Sequence, residues 1–353
     1  MDLAKVSSRT PLRPLRVVAI GGGTGLSTLL KGLKHYVLHA TLPNAPKSAS
    51  SVVAIEDLTA IVTVTDDGGS SGKLRREFGI LPPGDIRNCI VALSEDEATM
   101  SRLFKYRFPE SSALEGHSFG NLFLTALTAI TEDFAEAVRL SSEILATRGH
   151  IYPATTAACE LEAQMDDNTL VRGETKITAS KRHIVQLHMV PADVPPIPQT
   201  LEAIAKADLI TIGPGSLFTS LIPNVLVQGI PDAIVKSSAL KVYVCNLMTQ
   251  ANESLGLSAS EHIKAIYKHA GHNIFDAALL NVKELSEELK AKYALEGASQ
   301  ISIDEEEVQK LGVQPVLGDY LDAHKVVARH ATDRVAKELM QLVVSRAMTS
   351  THV

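Results

Sequence analysis

Several features that would define other protein classes are scarce in this chain. Tryptophan is absent from its 353 residues, which excludes a ligand site built on an indole ring. The three cysteines, Cys89, Cys159 and Cys245, are too far apart for a metal motif, and such sparse use favours a reducing cytoplasm. No apolar run is long enough to span a membrane, and residues 1–15 lack the apolar core of a signal peptide. We therefore expect a cytoplasmic protein with a loose N-terminal tail and no membrane span.

The composition that remains is typical of a globular protein. Hydrophobic residues make up 45% of the chain and charged residues 21%. The length indicates either two domains or one large α/β domain with an insertion. The formal net charge of −6 argues against a nucleic-acid partner.

The stretch at 17–28, VVAIGGGTGLST, organises the rest of the sequence. A short β-branched run leads into a glycine-rich turn and then into apolar residues at helical spacing, which predicts a strand, a tight turn and a helix. Gly21 and Gly23 fit the first two glycines of the dinucleotide fingerprint, but Leu26 replaces the third, and the chain has no GK[ST] motif. The pattern favours phosphate binding at the helix start, with a plain tight connection as the alternative. The predicted ligand-binding residues here are Gly21, Gly22, Gly23, Thr24 and Gly25.

A second polar loop follows the apolar run at 60–64. Asp66 and Asp67 stand beside glycines and serines, and Lys73 follows. Adjacent carboxylates are suited to Mg²⁺ or to a substrate hydroxyl, and the cations to phosphate oxygens. The alternative is a helix cap and turn with a solvated basic face. We predict Asp66 and Asp67 as metal ligands, and as catalytic residues if the protein is an enzyme; the predicted ligand contacts here are Asp67, Gly68, Ser70 and Lys73.

The same arrangement of apolar run and polar exit recurs along the chain. The repetition predicts one nucleotide site at the carboxyl edge of a mostly parallel sheet. Most of these polar segments can also be interpreted as helix caps and turns with a purely structural role. The further candidate ligand contacts are Arg87, Asn88, His117, Asn121, Gly213, Pro214, Gly215, Ser216, Asn224, Asn246 and Thr249.

Two segments interrupt this α/β pattern. Residues 37–58 are rich in Pro, Ser, Ala and Asn and predict a surface loop inserted into the domain. Residues 151–190 alternate between polar and apolar positions, which predicts a small antiparallel β subdomain. We therefore expect a single domain at 16–335, followed by a helix end and tail at 336–353.

Six motifs taken together, in this order, closely resemble the bacterial gluconeogenesis factor family, which is related to 2-phospho-L-lactate transferase. They are GGGTG at 21–25, TDDGGSSGKLR at 65–75, PPGDIRN at 82–88, GHSFGN at 116–121, IGPGSLFTSLIPN at 212–224 and CNLMTQ at 245–250. The resemblance implies a Rossmann-like three-layer sandwich, a homodimer or higher homo-oligomer, and a bound UDP-sugar such as UDP-N-acetylglucosamine. It adds Tyr293 and Arg329 as ligand contacts. It also implies that Asp66 and Asp67 fall at the positions where the transferase relatives hold the metal and the acceptor substrate.

Two functions follow from these motifs. The first is a nucleotide-sugar-binding regulatory protein, required for growth on gluconeogenic carbon sources and for cell shape and cell-wall synthesis, which catalyses no reaction. The second is a Mg-dependent phosphotransferase, in which the aspartate loop would stabilise charge on a transferring phosphoryl group. A third, an NAD-dependent dehydrogenase, is disfavoured because Leu26 replaces the last fingerprint glycine. The resemblance to the gluconeogenesis factor family favours the first of the three.

Overall fold

The computed structural model describes residues 13–38, 53–180, 182–251, 253–322 and 327–350. The predicted tail at 1–15 and loop at 37–58 therefore lie largely outside the described residues, as does the end of the predicted C-terminal tail. The described strands are β1 (Leu15–Gly21), β2 (Ile55–Val62), β3 (His150–Pro153), β4 (Glu160–Met165), β5 (Leu170–Arg172), β6 (Ile184–Val190), β7 (Leu209–Ile212), β8 (Leu240–Val244), β9 (Ala277–Asn281) and β10 (Gln314–Gly318).

Helices connect these strands. The described helices are α1 (Gly23–Lys34), α2 (Gly69–Phe78), α3 (Gly84–Leu93), α4 (Glu97–Phe104), α5 (Phe119–Thr131), α6 (Phe134–Ile144), α7 (Glu174–Ala179), α8 (Pro198–Lys206), α9 (Ile222–Leu226), α10 (Ile230–Lys236), α11 (Ala259–Ala270), α12 (Glu287–Ala294), α13 (Glu305–Lys310) and α14 (Thr332–Ser350). A π-helical turn, Leu217–Leu221, leads into α9.

Seven parallel strands form the central sheet, in the order β10-β9-β8-β7-β1-β2-β3. The first strand of the chain lies inside the sheet, so the strand order reverses between β1 and β7. In doubly wound sheets, ligands bind at the carboxyl ends of the strands beside such a switch point. The topology therefore directs attention to the turns that follow β1 and β7.

Two apolar cores lie on opposite faces of this sheet. Successive side chains of β1 alternate between them: Val18 and Ile20 pack into one core, and Val17 and Ala19 into the other. The first core also takes up the inward side chains of the separate antiparallel sheet β5-β4-β6. The predicted α/β three-layer sandwich with a small antiparallel insertion is thus confirmed.

The structure corrects three predicted boundaries. β2 begins at Ile55, inside the predicted loop at 37–58. Ile55 and Leu58 are buried as strand residues, but the exposed Glu56 between them breaks the apolar pattern that would predict a strand. β3 pairs with β2 in the main sheet, so it does not belong to the predicted unit at 151–190. The predicted division at 335 falls inside α14, which packs on α1 so closely that a Cβ on Gly32 would lie 2.5 Å from the Thr332 carbonyl oxygen.

Membrane-spanning potential is low in the part of the chain that the structure describes. No single helix there is both long enough and apolar enough to cross a bilayer. Two short helical segments, Leu217–Leu226 and Ile230–Lys236, have the length and composition only when taken together, and they are bent by 78°.

Candidate functional site

A cavity of about 750 Å³ opens at the switch point. It has the size and position typical of small-molecule sites in α/β proteins. Twelve of the residues predicted from the sequence line it: Gly22, Gly23, Thr24, Gly25, Asp66, Pro214, Gly215, Ser216, Asn246, Thr249, Tyr293 and Arg329.

The two glycine-rich turns are packed directly against each other at the floor of the cavity. A Cβ on Gly25 would lie 2.2 Å from the carbonyl oxygen of Pro214, so only glycine allows this approach. Asn246, just beyond β8, fixes the second turn: it accepts a hydrogen bond from the Gly215 N–H at 3.0 Å and donates to the Gly215 carbonyl at 2.7 Å. Both turns are therefore held in place without a ligand.

A buried carboxylate lies at the start of α1. Asp85, on the first turn of α3, accepts a hydrogen bond from the Gly23 N–H and lines the cavity. Burial raises the pKa of Asp85 to about 6, and the nearby charge of Asp66 acts in the same direction. Pro83 is the N-cap residue of α3, so Asp85 does not cap its own helix and instead faces α1.

The structure separates the two aspartates of the polar loop. Asp66 lines the cavity and accepts a hydrogen bond from the Gly68 N–H at 2.9 Å. Asp67 points to α7, where its carboxylate accepts hydrogen bonds from the N–H and hydroxyl of Thr175 at 2.8 and 2.5 Å. The predicted metal pair Asp66 and Asp67 is therefore not brought together on the cavity; the carboxylate beside Asp66 is that of Asp85.

A group of polar residues that line the cavity was missed in the sequence. Glu174 and Glu253 both line the cavity, and burial raises the pKa of both carboxyl groups, that of Glu174 to about 9. One oxygen of Glu253 accepts a hydrogen bond from Thr219 at 3.1 Å, while the other is buried without a partner, as is the amide oxygen of Gln250. Glu174 follows the small hairpin, far along the chain from any glycine turn, so no local signal identified it.

Tyr293, Arg329 and His330 also line the cavity, on a wall of their own. The N–H of Ala328 donates a hydrogen bond to the Tyr293 hydroxyl at 3.0 Å, which ties α12 to the segment that carries Arg329. His330 is hydrogen-bonded to the carbonyl of Cys245 at 3.0 Å, and burial lowers the pKa of its imidazole to about 4. His330 is thus neutral at physiological pH, and Arg329 carries the positive charge of this wall.

Other predicted residues support the site from behind. The side-chain amide of Asn224 donates to the Gly21 carbonyl at 3.2 Å, at the end of β1. Gly213 has a φ of 90°, and a Cβ there would lie 2.6 Å from the Val244 carbonyl oxygen. Gly68 lies on the polar loop, outside the cavity lining. These residues shape the turns and do not line the cavity.

A third set forms a polar cluster of its own at the corner between α2, α3 and α5. It is joined by hydrogen bonds between side chains and does not line the cavity. Its predicted members are Ser70, Arg87, Asn88, His117 and Asn121; Lys73, which was also predicted, is exposed and lies outside the hydrogen-bonded cluster.

The lining of the cavity includes carboxylates that could hold a magnesium ion together with a ligand. No group of three or more His, Cys, Asp or Glu side chains in the described part of the chain is arranged to hold a metal by itself. Mg²⁺, however, commonly binds through one or two carboxylates and the phosphates of a substrate. Asp66 and Asp85 fit that role, since both line the cavity beside the α1 turn.

The chain matches known proteins over most of its length. The model of the family described as 2-phospho-L-lactate transferase CofD matches residues 17–321. A gluconeogenesis factor of Bacillus subtilis is 42% identical over 93% of this chain and 98% of its own length, and one of Halalkalibacterium halodurans is 43% identical over 94% and 97%. A crystal structure of a Bacillus halodurans protein, 44% identical, superposes with a TM-score of 0.85 over 93% of this chain and 100% of that one. By these matches the chain belongs to the CofD family, with bacterial gluconeogenesis factors among its relatives.

Proposed function

We propose that this protein binds a nucleotide sugar, such as UDP-N-acetylglucosamine, as a regulatory ligand in the cavity between the two glycine turns. One observation carries the proposal: the turns after β1 and β7 meet at the switch point, and the start of α1 opens into the same cavity as Tyr293 and Arg329. Backbone N–H groups at a glycine-rich helix start suit a pyrophosphate. A tyrosine ring and an arginine suit stacking and charge pairing with a nucleotide.

The charges of the cavity determine how such a ligand would bind. Asp66, Asp85, Glu174 and Glu253 all line it, whereas Arg329 is its lining cation. A pyrophosphate next to ionised Asp66 and Asp85 meets repulsion unless Mg²⁺ bridges them. The carboxyl groups of Glu174 and Glu253 can bind sugar hydroxyls by hydrogen bonds. We expect Mg²⁺ to strengthen nucleotide-sugar binding.

Calorimetry tests this function directly. Titrations with UDP-N-acetylglucosamine, NAD and GTP, with and without Mg²⁺, should show micromolar or tighter binding of the nucleotide sugar alone, with the ligand recovered whole. Tyr293→Ala should weaken binding by at least about tenfold through loss of ring contact. Tyr106→Ala removes an exposed tyrosine outside the cavity and should have no effect. No measurable nucleotide-sugar binding, or equal weakening by both variants, would contradict the proposal.

The regulatory role rests on the relatives named gluconeogenesis factors. We place the protein in the cytoplasm, where its free, buried cysteines would stay reduced, and infer a homodimer or higher oligomer, which light scattering would measure. The chain should restore growth on a gluconeogenic carbon source, and normal cell shape, to a Bacillus subtilis strain that lacks its own gluconeogenesis factor. Failure of the expressed, folded chain to do so would argue against a shared role.

A phosphotransferase reaction is the second candidate, favoured by the position of Asp66 and Asp85 beside the α1 turn. In that case the two carboxylates would hold Mg²⁺, which would neutralise charge on the transferring phosphoryl group. We expect Asp66→Asn to abolish any Mg²⁺-dependent release of nucleotide product, by at least about a hundredfold. Asp67→Asn, in the same loop but bonded to Thr175, should retain the activity. Absence of product from the unmodified protein would remove this candidate.

A further inference from the structure

The corner between α2, α3 and α5 contains a partly buried arginine whose hydrogen-bond partners are all neutral. Arg87 donates hydrogen bonds to Ser118 Oγ at 2.8 Å, to Asn121 Oδ1 at 2.9 Å and to Asn88 Oδ1 at 3.0 Å. All three acceptors are neutral, and its Nε is buried with no hydrogen-bond partner. Among the described residues, Arg87 makes no salt bridge to a carboxylate.

This arrangement differs from that of Lys34, a buried cation of the described chain. Lys34 is 6% exposed and pairs with Glu97 at 3.4 Å. Carboxylates also pair with many of the more exposed arginines in the described chain, namely Arg13, Arg16, Arg139, Arg148, Arg172, Arg182, Arg334 and Arg346. The charges of Asp85 and Asp66 favour the ionised form of Arg87, but neither makes a salt bridge with it within the described chain, so a bound anion would complete its environment.

Two further cations, Lys73 and Arg107, lie beside Gly116, on the segment that leads to Ser118. The Lys73 ammonium lies 3.7 Å from the Cβ position of Gly116, and Arg107 donates to the Gly116 carbonyl at 2.9 Å. Neither makes a salt bridge within the described chain. Burial, then the charge of Arg107, lowers the pKa of Arg87, as expected for like charges held close together. A patch of this sign stands out in a chain of net charge −6.

Neutral groups hold this patch in a fixed shape. Ser70, in the first turn of α2, is hydrogen-bonded to His117 Nδ1 and to the Asn121 amide, both at 3.1 Å. Gly120 allows the stem of Arg87 to lie across α5, since a Cβ there would be 2.8 Å from its Cδ. The N-terminus of α2 has no side-chain cap and no acidic residue in its first turn, so its N–H groups add to the positive potential.

We propose that this corner is a second binding site, separate from the glycine cavity, for a small phosphate monoester or inorganic phosphate. A guanidinium bonded only to neutral groups, two further cations and an uncapped helix start suit a tetrahedral dianion better than a single carboxylate. Arg87 and Asp85 lie on the same helix, and Arg87 interacts electrostatically with Asp85 and Asp66 at the cavity. A bound phosphate here would therefore be sensed at the glycine cavity, as in regulation by a phosphorylated metabolite.

Calorimetric titration of the full chain with inorganic phosphate at low ionic strength tests this site. The unmodified protein should bind phosphate saturably, and Arg87→Gln and Lys73→Ala should each weaken binding by about tenfold. Lys73 is exposed and outside the hydrogen-bonded cluster, so its variant should fold even if Arg87→Gln does not. Lys236→Ala, an exposed lysine at the end of α10, is the matched control and should bind as the unmodified protein does.

Competition separates the two sites. Phosphate binding at the corner should persist in Tyr293→Ala and in the presence of saturating UDP-N-acetylglucosamine, whether or not the nucleotide sugar binds as proposed. Complete displacement of phosphate by the nucleotide sugar, or equal phosphate affinity in Lys73→Ala and Lys236→Ala, would overturn the second site. Loss of nucleotide-sugar binding alone would count against the glycine cavity and leave the corner site standing.

Discussion

Gly23→Val should abolish nucleotide-sugar binding, lowering the affinity by at least about a hundredfold. Gly23 has a φ of 60° and lines the cavity at the start of α1. A Cβ there would lie 3.7 Å from Ser220 Oγ and 3.8 Å from Asp85 Oδ1, so a branched side chain would fill the space that a phosphate needs to reach the helix amides. Calorimetric titration with UDP-N-acetylglucosamine measures the loss.

Backbone strain alone would also weaken the protein, and Gly79→Val controls for it. Gly79 has a φ of 67°, and a Cβ there would meet nothing within 4 Å. Both valines would stand in the left-handed region, at an expected cost of about 1–3 kcal/mol each. Thermal unfolding should therefore show similar destabilisation, while only Gly23→Val loses the ligand. Equal affinities in the two variants would remove the α1 turn from the site.

Glu174→Gln should stabilise the ligand-free protein at alkaline pH. Burial, together with the charges of Asp66 and Asp85, raises the pKa of Glu174 from its ordinary value to about 9. Its unfolded-state pKa is about 4.3, so as pH rises through the interval from about 4.3 to 9 the unfolded state loses this proton first, and stability falls. Glutamine has no proton to lose. Because Glu174 is partly exposed, we expect a gain of about 2 kcal/mol at pH 8.

Denaturant unfolding at pH 4.5, 6 and 8 measures this effect. The difference between Glu174→Gln and the unmodified protein should be small at pH 4.5 and grow with pH. Glu77→Gln, an exposed carboxylate on α2, is the control and should shift stability by less than about 0.5 kcal/mol at every pH. A constant difference for Glu174→Gln across this range would show that its carboxyl group is ionised in the folded protein.

Local patterns in the sequence determined most of the fold. The β-branched runs before each glycine turn became strands, and the alternating segment after position 159 became the antiparallel sheet. The errors came where local chemistry and tertiary packing disagreed. Glu56 and Asp57 concealed the start of β2. Their side chains are exposed or half-buried and so tolerate charge, while Ile55 and Leu58 of the same strand are buried.

The site was predicted less completely, for a physical reason. Glycines and polar residues that directly follow a buried strand must lie at its carboxyl end, so Gly23, Ser216 and Asn246 could be found from the sequence. The direction of a side chain within a loop is not fixed by that rule. Asp66 and Asp67 are neighbours in sequence, yet one faces the cavity and the other bonds to Thr175 on α7.

The sequence by itself determined that this protein is an α/β protein with glycine-rich turns at the ends of its strands. The spacing of apolar residues along a segment and the position of its glycines are local properties of the chain. Only the tertiary structure decided which turns share a cavity, because the order of the strands in the sheet determines which turns are neighbours. It alone brought Asp85 to the start of α1 and Glu174 to the cavity, and it left Arg87 partly buried among neutral hydrogen-bond partners. Those contacts join residues distant in the chain, and burial then sets their charge states.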